Sequence, residues 1–237
     1  SNMTADATFG SFATTFNTKA AGSQVLSQTA GTATGTYAAV STANAALTLT
    51  SATQTSTGTA GDDTFTAAAG TWGVGDIVNG GAGTDTLNAT ITGTAPTQSA
   101  TSLVSIETLN LTASPNPSTL DLTGVTGLTQ VNNVSSANGA TLSVTGLGNV
   151  VNTTITGGNT STSIAYATAA VASTTADAAT VSLKGTAAGS SFTTSGIETL
   201  TINSGTSANT LASLSAVGMS KLVVTGDQAL TIGGTTG

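Results

Sequence analysis

Short stretches in which apolar and polar residues alternate recur along the chain from residue 108 onward. Each begins with a polar residue, places apolar residues two positions apart, and ends in a polar residue before a turn. Side chains two positions apart point to the same side of a β-strand, so each stretch predicts a short strand with two residues directed into a core. The stretches are TLNLT (108–112), TLDLTG (119–124), TLSVTG (141–146), TVSLKG (180–185), TLTINS (199–204) and KLVVTG (221–226).

The spacing of these stretches predicts a solenoid. LDLTGVTGL (120–128) and LSVTGLGNV (142–150) align with each other without a gap, and a weaker copy, SIAYAT, begins at Ser163. The starts at 119, 141, 163, 180, 199 and 221 are evenly spaced at first and less evenly later. A period of about twenty residues, with one strand per period, favours an all-β fold, a parallel β-solenoid (β-helix or β-roll) whose stacked turns share one core. Tandem antiparallel β-sandwich domains, whose strands also recur at short intervals, are the alternative.

The composition fits a narrow solenoid and excludes most enzyme chemistry. The 237 residues include no His and no Cys, only 3 Lys+Arg, and 3% aromatic residues. His is the commonest general base and Cys the strongest nucleophile near neutral pH, so we expect no enzyme. A net charge of −7 without basic clusters argues against nucleic-acid binding. No apolar run has the length of a transmembrane span, so we expect no membrane insertion.

The only two glutamates occupy the same short motif. Ile-Glu-Thr-Leu occurs at 106–109 and again at 197–200, each time at the start of a predicted strand. This recurrence predicts a shared structural position for Glu107 and Glu198, such as the cap of a turn. A ligand role for the two carboxylates is the alternative.

An acidic, glycine-rich segment at residues 58–88 carries the candidate chemistry. Four of the eight aspartates lie in it, and no Lys or Arg occurs between Lys19 and Lys184. Like charges on neighbouring turns repel each other unless a cation lies between them. The stretch GGAGTDTLN (80–88) matches the nonapeptide G-G-x-G-x-D-x-U-x, with U a large apolar residue, that binds calcium in RTX proteins.

Two partial copies precede this nonapeptide. TWGVGDIVN (71–79) places Asp76 nine residues before Asp85, and GTAGDDTFT (58–66) places Asp63 in the same frame, with a longer interval before Asp76. Calcium takes about six to eight oxygen ligands, and glycines allow the positive φ angles that turn carbonyls toward an ion. Gly-Asp and Gly-Gly also form ordinary turns, which is the alternative. We therefore predict Ca²⁺ bound by Asp63, Asp76 and Asp85, then Asp62, with carbonyls of Gly61, Gly81, Gly83 and Thr84.

The chain resembles the surface-layer (S-layer) and related RTX-type proteins of Gram-negative bacteria. GTAGDDTFTA, DIVNGGAGTDTLNATI and SIETLNLT carry the resemblance over 58–112, and composition alone carries it over 113–237. The resemblance implies type I secretion, calcium-dependent folding outside the cell, and self-assembly into a lattice at the bacterial cell surface. In the family the motif aspartates bind calcium, which transfers here to Asp63, Asp76 and Asp85.

These features divide the chain into three segments. Residues 1–57 form an N-terminal segment without a recognised motif, in which Ser1-Asn2-Met3 is typical of residues left by cloning. Residues 58–112 form an RTX-like calcium-binding β region, and residues 113–237 form Thr/Ser-rich solenoid repeats. The closing stretch LTIGGTTG (230–237) stops within the pattern, so we expect a segment of a longer protein.

The expected function is that of a secreted structural protein, a calcium-dependent segment of an S-layer. Its expected partner is a second copy of itself, in a lattice or homo-oligomer held through calcium. A cell-surface polysaccharide, bound through regions outside this chain, is a further candidate partner. The alternatives are an RTX-type secreted adhesin or biofilm protein, and the export module of a secreted hydrolase. In the last case the catalytic domain lies elsewhere, since neither HExxH nor GxSxG occurs here.

Overall fold

The computed structural model describes residues 42–95, 98–99, 101–114, 117–172 and 176–237. All described residues except Thr42 belong to one compact unit, Ala43–Gly237. Most of the predicted N-terminal segment, residues 1–41, lies outside the described residues.

Strands make up almost all of the regular structure. The described part of the chain holds twenty short strands and one helix of four residues, α1 (Thr168–Val171). The strands are β1 (Ala46–Thr48), β2 (Thr55–Thr57), β3 (Thr64–Ala67), β4 (Ile77–Asn79), β5 (Thr86–Ile91), β6 (Leu103–Val104), β7 (Thr108–Ala113), β8 (Ser118–Asp121), β9 (Gln130–Val134), β10 (Thr141–Leu147), β11 (Thr153–Thr156), β12 (Ser161–Tyr166), β13 (Ala178–Lys184), β14 (Ser191–Ser195), β15 (Thr199–Gly205), β16 (Asn209–Leu211), β17 (Ser213–Val217), β18 (Lys221–Gly226), β19 (Leu230–Ile232) and β20 (Thr235–Thr236). Among the described residues, no helix has the length and apolar character that a membrane crossing requires.

The described strands pair in parallel and build four sheets. Sheet A has nine strands in the order β1-β3-β5-β7-β9-β11-β13-β15-β18. Sheet B has the order β2-β4-β6, sheet C the order β8-β10-β12-β14-β17-β20, and sheet D pairs β16 with β19. The chain thus passes through sheet A and then sheet B or C in each turn, giving a β-solenoid of about 8 turns. The predicted solenoid is confirmed, and the parallel pairing excludes tandem antiparallel sandwiches.

The interior of the solenoid is filled by the inward-facing residues of successive strands. Leu109 and Leu111 of β7, and Leu142 and Val144 of β10, are fully buried. They stand two residues apart, as the alternation predicts. Burying one such side chain contributes about 1.5–3 kcal/mol. No single turn encloses a core, so the turns stabilise one another by stacking.

Each turn contains two or three strands instead of the single strand that the repeat predicted. The stretches at 108–112, 180–185, 199–204 and 221–226 lie in sheet A, whereas those at 119–124 and 141–146 lie in sheet C. A narrow core is enclosed only when two layers face each other, so one polar–apolar signature serves both sheets. The repeat inferred from the sequence therefore combined strands of sheet A with strands of sheet C, which lie on opposite sides of the same turn.

The strand register shows how the uneven spacing arises. In sheet A, Thr86 pairs with Thr108. In sheet C, Thr119 pairs with Ser143 and Ser143 with Ser163, so the first of these turns is longer than the second. The gapless sequence alignment instead matched position 119 with position 141, two residues short of the structural partner. Turns between the sheets absorb the difference in length.

Sheet A runs without a break through the segments distinguished in the sequence. Both β1 and β2 lie within residues 1–57, and β7 spans the position between 112 and 113. The strands on both sides of that position pair in one sheet. The acidic segment is therefore continuous with the Thr/Ser-rich turns that follow it.

Candidate functional site

Three acidic residues occupy the same corner of successive turns. Asp63, Asp85 and Glu107 each immediately precede a strand of sheet A, namely β3, β5 and β7. Thr64 pairs with Thr86, and Thr86 with Thr108, so the three acids stack along the solenoid axis. Neighbouring strands of a sheet lie about 4.8 Å apart. We call Asp63, Asp85 and Glu107 the acid corner.

The carboxylates of the acid corner accept hydrogen bonds from the main chain of the preceding turn. The N–H of Ala45 donates to Asp63 Oδ1, and the N–H of Asp63 donates to Asp85 Oδ1 over 2.7 Å. The N–H of Asp85 in turn donates to Glu107 Oε2 over 2.7 Å. Each carboxylate therefore accepts a hydrogen bond from a main-chain N–H group that has no partner in the ladder of the sheet.

The glutamate motif repeats this contact in a later turn. Asp177 and Glu198 immediately precede β13 and β15, and the Asp177 N–H donates to Glu198 Oε2 over 2.7 Å. The carbonyls of Asp85 and Asp177 accept from the N–H groups of Glu107 and Glu198, respectively. The shared structural position predicted for the two glutamates is confirmed, and it is that of a cap.

Asp85 differs from Asp63 in the hydrogen bonding of one carboxylate oxygen. Its side chain is fully buried, and Asp85 Oδ2 has no hydrogen-bond partner in the described part of the chain. Burial raises the pKa of Asp85 above its usual range, and the charges of Glu107 and Asp63 act in the same direction, against the single N–H bond from Asp63. The buried oxygen therefore lacks a partner that would stabilise its charge.

The carboxylate of Asp63 is fully satisfied. Its Oδ2 accepts from the N–H of Thr59, in addition to the bond from Ala45 to Oδ1. Burial alone would raise the pKa of Asp63, but the N–H groups of Thr59 and Ala45 hold it below its usual range. One turn later the residue equivalent to Thr59 is Gly81, whose N–H donates to the Asn79 side chain over 3.1 Å. That change of partner leaves Asp85 Oδ2 without a donor.

Two stacked glycines make room for these carboxylates. A Cβ atom on Gly58 would lie 2.2 Å from Asp63 Oδ2, and one on Gly80 would lie 2.2 Å from Asp85 Oδ2. The Cβ position on Gly80 is also 2.0 Å from the carbonyl oxygen of Ser105, which has a φ of 48°. Two acceptor oxygens, Asp85 Oδ2 and Ser105 O, therefore both lie close beside Gly80, and like partial charges at such short range repel each other.

The carbonyl groups that the nonapeptide predicts as calcium ligands lie in two closely stacked loops, 58–62 and 80–84. Gly81 and Gly83 have φ angles of 100° and 121°, which only glycine adopts readily. Cβ atoms there would lie 2.1 Å from the Thr59 carbonyl and 2.6 Å from the Gly61 carbonyl. The close approach of the two loops therefore requires glycine at both positions.

The outer residues of the same loops are tied to each other. The Thr84 N–H donates to Asp62 Oδ1 over 2.7 Å, and the Asp62 side chain is exposed. The structure thus brings Asp62, Asp63 and Asp85 together with the carbonyls of Gly61, Gly81, Gly83 and Thr84 in adjacent loops. Their carboxylate and carbonyl oxygens are the ligand type that calcium prefers.

Asp76 lies at a different corner from the other predicted ligands. It is in the connection between β3 and β4, whereas Asp63 and Asp85 lie in connections that lead into sheet A. Its oxygens accept from the N–H groups of Gln54 over 2.9 Å and Gly73 over 2.6 Å. A nine-residue step is about half a turn, so it places successive aspartates on opposite corners.

The described residues do not form a cluster of carboxylates that surrounds an ion. No group of three or more His, Cys, Asp or Glu side chains lies close enough for that in the described ranges. The only basic side chains there are Lys184 and Lys221, in β13 and β18. An ion at the acid corner would therefore depend on one or two carboxylates and on loop carbonyls.

Sequence reasoning from the nonapeptide missed Glu107 and the Ser105 carbonyl as members of this corner. The spacing from Asp63 to Asp85 equals that from Asp85 to Glu107, and both equal the step between paired strands of sheet A. This repeated spacing of one full turn is the sequence signal that could have identified Glu107 as a member of the corner.

Comparison with known proteins does not assign the chain to a family. No family model matches it, and no curated protein or solved structure matches it either.

Proposed function

We propose that this chain is a structural, non-catalytic β-solenoid of a secreted bacterial surface protein of the S-layer type, and that calcium stabilises it. The observation that carries the proposal is the buried, unpartnered oxygen of Asp85 within a stack of like charges. The resemblance of residues 58–112 to RTX-type surface proteins supports the same interpretation.

Electrostatics favour a cation at the acid corner. The carboxylates of Asp63, Asp85 and Glu107 stand on adjacent turns, and the pKa of Asp85 is raised by burial and then by its charged neighbours. A divalent cation beside Asp85 would offset this repulsion. Asp85 and Asp63 would hold it together with the carbonyls of the two stacked loops, with Asp62 next. Asp76 would serve a separate turn.

Binding at this corner would couple folding to calcium outside the cell. The ligands come from different turns, so an assembled corner exists only in the folded chain. A ligand that binds only the folded state adds about 2.7 kcal/mol of stability at 100 times its dissociation constant. A secreted chain of this kind would stay loosely folded where calcium is scarce and fold where calcium is abundant.

The outer surface of sheet A suits a durable coat. Asn110 Nδ2 donates to Asn88 Oδ1 over 2.8 Å, and Asn132 Nδ2 donates to Asn110 Oδ1 over 2.8 Å. Asn132 Oδ1 then accepts the N–H of Thr154 over 2.8 Å. This ladder ties four consecutive turns together through side chains, in addition to the main-chain pairing.

Isothermal titration calorimetry with calcium tests the proposal. We expect saturable binding to the chain, loss of binding in Asp85→Asn because the charge next to Ser105 is removed, and no binding of magnesium of comparable strength. Asp227→Asn is the matched control, since Asp227 is exposed in the last turn and lies outside the acid corner. No calcium binding to the unaltered chain, or equal binding by the two variants, would remove the basis for a calcium-stabilised protein.

A further inference from the structure

The segments 57–63 and 79–85 are two copies of one loop, separated by one full turn of the solenoid. Thr57 pairs with Asn79, so the copies lie in register. Their sequences are TGTAGDD and NGGAGTD, which differ only at the first, third and sixth positions. We call them the first loop and the second loop. Each ends in an aspartate of the acid corner, Asp63 or Asp85, so the chain itself shows which changes make one carboxylate differ from the other.

Both loops give their aspartate the same steric surroundings. A Cβ atom on Gly58 would lie 2.2 Å from Asp63 Oδ2 and 2.2 Å from the carbonyl oxygen of Gly80. A Cβ atom on Gly80 would lie 2.2 Å from Asp85 Oδ2 and 2.0 Å from the carbonyl oxygen of Ser105. Each Oδ2 therefore lies beside a glycine that also adjoins a carbonyl of the next turn. These surroundings do not explain why the two carboxylates differ in their hydrogen bonds.

The two loops differ in the amide at their third position. In the first loop the Thr59 N–H donates to Asp63 Oδ2. In the second loop the Gly81 N–H donates to Asn79 Oδ1 over 3.1 Å instead. Gly81 has a φ of 100°, whereas the φ of Thr59 is not positive, so the main chain takes a different path there. The next amide, that of Ala82, donates to the Thr59 carbonyl over 3.2 Å and does not replace it.

The first position of each loop determines which acceptor this amide meets. An asparagine side chain readily accepts the N–H of the residue two positions further on, and this contact forms a common turn. Asn79 makes this contact from the outer side of β4, where its side chain is half-buried. The first loop has Thr57 at this position, and there the amide is directed to the aspartate instead.

We propose that Asn79 is a positioning residue of the calcium site, and that it keeps Asp85 Oδ2 free for a cation by holding the Gly81 N–H. An N–H group and a cation both bring positive charge to the same oxygen, so they compete for it. Without the contact to Asn79, the second loop closes on its own aspartate as the first loop does. The inference rests on the proposed function, and it identifies the second loop as the open one of the pair.

Calcium titration calorimetry of the full chain compares two substitutions of Asn79. Asn79→Thr installs the residue of the first loop and should raise the calcium dissociation constant at least about tenfold, because the Gly81 N–H then occupies Asp85 Oδ2. Asn79→Asp is the matched control. It keeps a side-chain acceptor for the Gly81 N–H and should bind calcium at least as tightly as the unaltered chain. Equal weakening by both variants overturns the proposal, as does unchanged binding by Asn79→Thr.

Amide hydrogen exchange of Gly81, followed by NMR in EDTA, tests the change of partner without calcium. In Asn79→Thr we expect this amide to exchange at least about tenfold more slowly, because its acceptor changes from a half-buried side chain to the fully buried Asp85 carboxylate. A residue that only stabilised the turn would have the opposite effect, since its loss would leave the N–H without a partner. Unchanged or faster exchange overturns the proposal.

The two measurements separate this inference from the proposed function. If the unaltered chain does not bind calcium but Gly81 exchanges more slowly in Asn79→Thr, the proposed function fails and the positioning by Asn79 is confirmed. If the unaltered chain and Asn79→Thr bind calcium equally well, the proposed function stands and the inference about Asn79 fails.

Discussion

At the corner before sheet A, a side-chain carboxylate takes the place of a main-chain partner. Asp63 accepts two N–H groups in this role, whereas Asp85 accepts one and keeps a buried oxygen without a donor. An unsatisfied buried group costs about 1–3 kcal/mol, and more if it is charged. The difference between two aspartates in equivalent positions therefore marks the place where a cation would stabilise the fold most.

The steric part of this arrangement depends on Gly80. Gly80→Ala should destabilise the chain by about 3 kcal/mol or more, because the new Cβ would meet the Ser105 carbonyl at 2.0 Å and Asp85 Oδ2 at 2.2 Å. Gly205→Ala is the control, since its nearest contact is Asn203 Oδ1 at 3.8 Å. Urea unfolding measures both, and equal midpoints would show that the carboxylate does not fill the space beside Gly80.

The proximity of two predicted residues follows from the sequence where their spacing matches a full turn. Asp63 and Asp85 are separated by one full turn of the chain and stack, and the loops that hold Gly61 and Gly83 lie against each other. Asp76 followed the nonapeptide frame but lies at another corner, because nine residues carry the chain only halfway around. The nonapeptide identifies a loop, but which loops become neighbours depends on the length of a whole turn.

At the scale of strands, polar side chains extend the pairing of sheet A. Asn88, Asn110 and Asn132 form a ladder on its outer face, in which the amides of Asn110 and Asn132 each donate to the asparagine of the preceding turn. Inside the solenoid, Asn133 is buried at an inward position and donates to Thr162 over 2.7 Å. Buried amides are tolerated when their hydrogen bonds are made, so this turn holds a polar network within its core.

The asparagine ladder should be sensitive to the loss of a single donor. Asn110→Asp keeps the shape but removes the amide that donates to Asn88, so we expect a loss of about 1–3 kcal/mol at pH 7. Asn203→Asp, at an exposed outer position of β15, is the control and should change stability little. Thermal unfolding compares them; if both variants melt alike, the ladder does not stabilise the sheet.

The alternation of apolar and polar residues predicts the strands, but it does not predict on which side of the solenoid each strand lies. TLDLTG and TLSVTG have the same signature as TLNLT, yet β8 and β10 belong to sheet C and β7 to sheet A. An inward-facing strand needs the same pattern in either sheet, so the sequence contains no local signal that distinguishes them. The alternation also does not predict that Asn133 is buried, because its burial depends on partners in other strands.

At the scale of the whole described solenoid, charge is distributed unevenly among the turns. The turns built from β2 to β7 contain five of the acidic residues and no base. The two basic residues of the described solenoid, Lys184 and Lys221, lie in later turns, in β13 and β18. The proposed calcium site would therefore act on the early turns, where no basic side chain offsets the acids.

Thermal unfolding in calcium and in EDTA, with magnesium as control, tests the central claim most directly. For the unaltered chain we expect calcium, but not magnesium, to raise the melting temperature by about 5–10 °C at 100 times the dissociation constant. Asp85→Asn should melt above the unaltered chain in EDTA, because a buried charge is removed, and should not respond to calcium. Asp227→Asn should respond like the unaltered chain. Identical melting curves in calcium and EDTA would contradict the claim, and the loop at 80–88 would then be a turn that caps the solenoid without binding an ion.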